Sequence, residues 1–156
     1  MKKTRLFLIA LTFALLIVML PACSGTTTNA GGNGQNLQQN NEKVIAFGER
    51  VNIKDYLVKG KTVIFDFFSQ YCPPCMRISP LLAKLDKKRD DIVVIKVNIN
   101  RKDVSGHIDW SSPVARQYNL NSIPHFKIFS PEGKLIAEGD SAYMKVIKML
   151  KENGIQ

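Results

Sequence analysis

The stretch Asp66-Phe67-Phe68-Ser69-Gln70-Tyr71-Cys72-Pro73-Pro74-Cys75 decides the fold, because a strand, a turn and a helix meet in it. The apolar run 63–68 predicts a buried strand. Beyond the cysteines, apolar residues recur at helical spacing, namely Ile78, Leu81, Leu82 and Leu85. The cysteines are therefore expected at a helix N-terminus, where unpaired N–H groups and the helix dipole favour a thiolate. Two cysteines at this spacing can also close a small disulfide, so the pattern indicates a reactive, reversible dithiol.

Two charged residues interrupt strands that are otherwise apolar. Asp66 lies within 63–68, and Lys96 lies within 93–97. A charge inside a buried strand is costly unless it is paired, so the two residues are expected to be partners on adjacent strands. In the alternative interpretation, Lys96 buries its stem and extends its ammonium group to solvent.

In their order along the chain these residues resemble the thioredoxin family, and the resemblance covers residues 44–155. The matching positions, besides the cysteines, are a buried acid, a helix proline, a lysine facing the acid, an Ile-Pro before a strand and two turn glycines: Asp66, Pro80, Lys96, Ile123-Pro124, Gly133 and Gly139. The resemblance implies an α/β, thioredoxin-like fold with a mixed central sheet flanked by helices on both faces. Phe68 and Tyr71 stand where thioredoxins commonly carry tryptophan, and Pro73 stands where they carry glycine.

The resemblance also implies a role for each site residue. Cys72 would be the exposed nucleophile and Cys75 the resolving cysteine of a redox-active disulfide, with no other cofactor. Asp66 would assist proton transfer at Cys75, with Lys96 facing it. The substrate would bind around the cysteines, with Pro124 in the cis form, at Tyr71, Pro73, Pro74, Ile123 and Pro124.

The periodicity predicts the element order β-α-β-α-β-α-β-β-α. Strands are expected at 44–47, 62–68, 92–99, 125–129 and 135–138, and helices at 52–59, 73–89, 113–118 and 141–153. The last helix is expected to bury Met144, Ile147 and Leu150. In the irregular segment 101–110, Trp110 is expected to anchor the local core, with a place on the substrate rim as the alternative. His125 is expected to be an ordinary surface residue, with tuning of the thiolate as the alternative.

The N-terminal residues 1–22 predict a lipoprotein signal peptide. Three basic residues precede an uncharged apolar run, 6–20, which is shorter than the roughly 20 residues that a spanning helix needs. Leu20-Pro21-Ala22-Cys23 resembles a bacterial lipobox, which implies cleavage before Cys23 and lipidation of its sulfur. Ordinary cleavage that releases a soluble protein and an uncleaved anchor are the alternatives.

The composition changes after the lipobox. Residues 23–43 are rich in Gly, Asn, Gln and Thr and predict a flexible linker, because they cannot bury enough apolar surface to fold. Residues 44–156 are expected to form one thioredoxin-like domain. The protein is therefore expected to be exported and lipid-anchored to a bacterial membrane, facing the periplasm or the cell exterior, and to be monomeric. The lipid also accounts for Cys23, the cysteine left over when Cys72 and Cys75 pair.

The net charge is +9, from 22 basic and 13 acidic residues, and no nucleic-acid-binding motif accompanies it. The expected function is a membrane-tethered thiol–disulfide oxidoreductase that reduces disulfides of extracytoplasmic proteins. Its partners would be protein thiols and disulfides, together with a membrane electron donor or acceptor. The alternatives are a disulfide-forming oxidant, a non-catalytic scaffold, and a Cu(I)-handling protein that uses Cys72 and Cys75, with His125 as a third ligand.

Overall fold

The computed structural model describes residues 43–156. The predicted signal peptide, Cys23 and nearly all of the predicted linker lie outside this range. The strands are β1 (Lys43–Ile45), β2 (Thr62–Phe68), β3 (Ile92–Asn98), β4 (His125–Phe129) and β5 (Leu135–Glu138). The helices are a short 3₁₀ helix (Ile53–Tyr56), α1 (Pro73–Lys88), α2 (Pro113–Gln117) and α3 (Gly139–Glu152).

The five strands form one mixed sheet in the order β1-β3-β2-β4-β5. Strands β1, β3 and β2 are parallel, whereas β4 and β5 are antiparallel to their neighbours. Because side chains alternate across a strand, β2 supplies apolar residues to both faces. Ile64 packs with α1 and α3 on one face, and Phe65 packs with α2 and the 3₁₀ helix on the other. This arrangement confirms the predicted α/β fold class.

Two predicted elements near the start of the domain are wrong in extent. The helix expected at 52–59 is only the 3₁₀ helix Ile53–Tyr56, because the backbone at Leu57 is extended and its N–H closes the last turn on Lys54. Strand β1 ends before the predicted residue 47, since Ala46 and Phe47 adopt the left-handed region, with φ of 75° and 48°. The apolar residues in both segments still pack against the core, which explains the misleading pattern.

The buried face of α3 also differs from the prediction. Met144 is 65% exposed and Ile147 is 37% exposed, so only Leu150 of the three expected core residues is buried. The buried stripe is Ala142, Val146 and Leu150, spaced one helical turn apart. These three residues pack in the core cluster that also contains residues of α1 and β4, whereas Met144 and Ile147 lie on other faces of the helix.

Helix α1 positions the cysteines. Cys72 is its N-cap, and Pro73 and Pro74 occupy its first two positions, where a missing N–H has no cost. The helix continues through Pro80 and ends at Lys88, one residue before the predicted end. Because α1 follows β2 after a tight turn, both cysteines lie at the carboxyl end of the central strand.

Candidate active site around Cys72 and Cys75

Cys72 and Cys75 form a disulfide, with their Cα atoms 5.3 Å apart. The backbone N–H of Cys75 donates a hydrogen bond to the Cys72 sulfur at 3.2 Å. Pro73 and Pro74 have no N–H, so the N–H of Cys75 is the first helical donor that the sulfur can reach. After reduction, the same donor and the helix dipole would stabilise a thiolate at Cys72.

Both sulfurs are covered by apolar side chains. Cys72 is 2% exposed and Cys75 is fully buried, so the expectation of an exposed Cys72 is wrong for the disulfide form. The cysteines form a cluster with Phe68, and three partly buried residues pack against it: Val44, Ile108 and Ile123. A partner disulfide must therefore approach Cys72 through an apolar rim.

The peptide bond between Ile123 and Pro124 is cis, as predicted. It brings the carbonyl oxygen of Ile123 to 3.6 Å from the Cys72 sulfur. On the other side of the cysteines, Tyr71 is half-buried, and its N–H donates to the Ser69 hydroxyl in the turn that follows β2. Pro73 and Pro74 are exposed at the helix start. The structure thus places all five residues predicted for substrate binding beside the cysteines or in the segment that carries Ile123.

Asp66 and Lys96 lie directly opposite each other on β2 and β3. Both residues are buried, with Lys96 at 8% exposure, which favours the paired arrangement over one in which the ammonium group extends into solvent. The Lys96 ammonium lies 4.3 Å from the centroid of the Phe68 ring, which itself packs with the cysteines. Asp66 is two residues from Phe68 and shares its face of the sheet, the face covered by α1. The acid and the lysine are therefore on the same side of the sheet as Cys75.

The loop between β3 and α2 contains a polar network that the sequence analysis did not predict. We call Asn100, Arg101, Asp109 and Ser111 the loop clasp. Arg101 donates to both carboxylate oxygens of Asp109, at 2.7 and 3.1 Å, and the Ser111 hydroxyl donates to Asp109 at 2.8 Å. Asn100 donates to the carbonyl of His107 at 2.8 Å and accepts from the Asp109 N–H at 3.3 Å. Together with a few backbone hydrogen bonds, the clasp fixes a loop that contains no helix or strand.

The buried anchor of this loop is Asp109, at 3% exposure, whereas Trp110 is 41% exposed. The expectation that Trp110 anchors a local core is therefore wrong. An aspartate between two large apolar residues, with an arginine eight positions earlier, was the available sequence signal. This sequence pattern is equally compatible with a buried ion pair and with two solvated charges.

We expect Asp109→Asn to destabilise the fold at neutral pH by about 1–2 kcal/mol, a value reduced because Arg101 is 35% exposed and screened by solvent. Hydrogen bonds from Arg101 lower the pKa of the Asp109 carboxyl to about 2, although burial opposes them. A lowered folded pKa gives stability that is present above about pH 4 and is lost as the pH falls towards 2.

Urea unfolding of the two proteins at pH 7 and near pH 2 measures this difference, which should shrink at the lower pH. Asp103→Asn removes an exposed carboxylate from the same loop and should leave the stability unchanged. An Asp109→Asn deficit that is the same at both pH values would contradict the ion-pair explanation.

His125 directs its ring away from solvent and towards Phe67 and Glu138. Its ring packs edge-on against Phe67, with 5.9 Å between centroids, and its Nε2 lies 3.4 Å from a Glu138 carboxylate oxygen. Burial lowers the pKa of His125, and Glu138 opposes that change. His125 is thus half-buried rather than an ordinary surface residue.

Within residues 43–156, no three His, Cys, Asp or Glu side chains are grouped so that they could hold a metal ion. In the same range, no helix has the length and apolar character needed to cross a membrane.

Comparison with known proteins identifies the family. The Thioredoxin family model matches residues 46–152. Thioredoxin H5 of Arabidopsis thaliana is 29% identical over 105 residues, which cover 66% of this chain and 80% of that protein. The thiol-disulfide oxidoreductase ResA of Bacillus subtilis is 25% identical over 156 residues, covering 86% of this chain and 84% of that protein. The solution structure of oxidised thioredoxin from Plasmodium falciparum aligns with a TM-score of 0.49 at 26% identity, covering 74% of this chain and 99% of that one.

The matched segment contains both cysteines, the cis-proline and all three α-helices. It spans more than half of the chain. The chain therefore belongs to the thioredoxin family and is a thiol–disulfide oxidoreductase.

Proposed function

We propose that the protein is a membrane-tethered reductant of disulfides in extracytoplasmic proteins. The observation behind the reducing direction is the buried pair of Asp66 and Lys96, face to face on the side of the sheet that α1 covers, because such a pair resembles that of the reducing members of the family. An acid held there can accept the proton of Cys75 when the reduced dithiol gives up its electrons. An electron donor at the membrane would then restore the dithiol.

The proposed reaction begins with the Cys72 thiolate, which the N–H of Cys75 stabilises. The thiolate attacks one sulfur of the substrate disulfide, forms a mixed disulfide and releases the first substrate sulfur as a thiolate, which takes a proton from water. Asp66 takes the proton of Cys75, and the Cys75 thiolate attacks the Cys72 sulfur. The second substrate sulfur leaves as a thiolate and is protonated by Asp66 or water, so two electrons have passed from the dithiol to the substrate.

The substrate chain is proposed to lie along the segment that carries the cis-proline. Pro124 has no N–H to donate, and the backbone of Ile123 lies beside the Cys72 sulfur, where a bound strand can pair with it. Tyr71, Pro73 and Pro74 would flank the substrate on the helix side. Extended backbone pairing suits unfolded or loop segments of many sequences, as protein disulfide substrates require.

The reduction potential tests the proposed direction. We expect a value near that of thioredoxin, about −270 mV, in a titration of the Cys72–Cys75 pair against glutathione buffers. A potential near −120 mV, which is typical of strong oxidants, would reverse the assigned direction. Such a result would leave the exchange chemistry itself in place.

The tether is proposed to be a lipid on Cys23. The basic start, the short apolar run and Leu20-Pro21-Ala22-Cys23 support it. Mass spectrometry of the membrane fraction should find a diacylglyceryl group on an N-terminal Cys23, and Cys23→Ser should move the protein out of that fraction. Recovery of a soluble native form that begins at another residue would rule out the lipid anchor.

A further inference from the structure

Ile108 links the loop clasp to the cysteines. It is half-buried and packs against the cluster formed by Phe68, Cys72 and Cys75. It also packs against the second hydrophobic core, which lies between the sheet and α2. Ile108 therefore borders the covered cysteines, where Ile123 also packs, and part of it remains accessible to solvent.

The loop clasp fixes the two residues that precede and follow Ile108 in the sequence. The preceding residue, His107, accepts a hydrogen bond from Asn100, and the following residue, Asp109, receives two from Arg101. The carbonyl of Ile108 itself accepts the N–H of Trp110 at 3.1 Å. A side chain fixed in this way loses little conformational freedom on binding, which favours a recognition role.

Access to Cys72 also requires contact with this rim. Because only 2% of Cys72 is exposed, a disulfide that reaches its sulfur must bring its neighbouring residues against the surrounding side chains. An apolar neighbour would leave water on contact with Ile108, which is favourable, whereas a charged neighbour would lose hydration without gaining a partner.

We propose that Ile108 is a specificity-determining residue that contacts the side chain next to the reactive cysteine of the substrate and selects apolar side chains there. This proposal rests on the proposed attack by Cys72 and does not depend on the redox direction in the cell. The clasp residues Arg101 and Asp109 would act through Ile108 as positioning residues.

The test uses three short peptides, each with one cysteine and joined as disulfide-linked homodimers, that differ only in carrying Leu, Ser or Glu beside the cysteine. Single-turnover oxidation of the fully reduced protein by each dimer gives a second-order rate constant, and each turnover releases two peptide thiols. We expect the rates to fall in the order Leu, Ser, Glu. Ile108→Ala should lower the Leu-to-Ser ratio by about 10-fold. Ile108→Lys should reverse the preference, so that Glu exceeds Leu.

Val104→Ala is the matched control, because Val104 is half-buried in the same loop but is not part of the cluster around the cysteines. It should leave all three rate constants in the same ratio. An unchanged Leu-to-Ser ratio in Ile108→Ala, or an equal slowing of all three peptides, would overturn the proposal. Ile108→Lys tests it even if Ile108→Ala loses packing. Failure of the wild-type protein to react with any peptide would instead overturn the proposed attack by Cys72.

Discussion

With Cys75 replaced by serine, the protein is expected to accumulate in cells as mixed disulfides with its partners. Cys72 can still attack, because the serine keeps the backbone N–H that bonds to the Cys72 sulfur. No second thiol remains to release the partner. With Cys72 replaced by serine, trapping and exchange should both fall to background, since a hydroxyl cannot replace the thiolate.

Non-reducing gels and mass spectrometry of the captured complexes measure this difference. A Cys23→Ser change in the Cys75→Ser background controls for the third cysteine of the chain and should leave the trapped complexes intact. Equal trapping by the two single variants would contradict the assignment of nucleophile and resolving cysteine. Trapping by Cys72→Ser alone would reverse it.

Asp66→Asn is expected to slow the resolving step by about 10²- to 10⁴-fold near neutral pH while attack by Cys72 is retained. The amide has nearly the shape of the carboxylic acid but cannot accept the proton of Cys75. The deficit should shrink as the pH rises above about 8.5, the ordinary pKa of a cysteine thiol, because the base is then no longer needed.

Stopped-flow reduction of a model disulfide over a range of pH separates the two steps. Asp91→Asn is the matched control, because Asp91 is an exposed carboxylate in an ion pair with Arg89. It should change neither step. A resolving rate that Asp66→Asn leaves unchanged, or a deficit that is the same at every pH, would make Asp66 a structural charge only.

The elements around the cysteines could be predicted because their causes lie close together in the sequence. Residues 63–68 of β2 are apolar at every position except Asp66, and Cys72 and the two prolines after it mark a helix start. The cis form of Pro124 could be predicted only from the resemblance to the thioredoxin family, because an isolated X-Pro bond is cis only about 5–6% of the time. The facing positions of Asp66 and Lys96 followed from the cost of a charge in a buried strand.

The errors arose where tertiary packing decides between alternatives that the sequence leaves similar. Helix α3 has apolar residues on more than one face, and its packing against the sheet decides which of them are buried. The cluster that buries Cys72 includes a contact with Ile108, which is distant in sequence and lies in the loop that the clasp holds. No periodic pattern marks such a loop, because its order comes from side-chain hydrogen bonds.

The exposed Trp110 is the only tryptophan of the chain. The indole emission of the whole protein therefore originates from one residue, two positions from Ile108 and next to Asp109. A change in the wavelength or intensity of that emission therefore reports on the surroundings of the indole ring in this loop. The protein thus contains its own optical label two residues from Ile108, so peptide binding at the proposed site should be detectable in real time without attaching a dye.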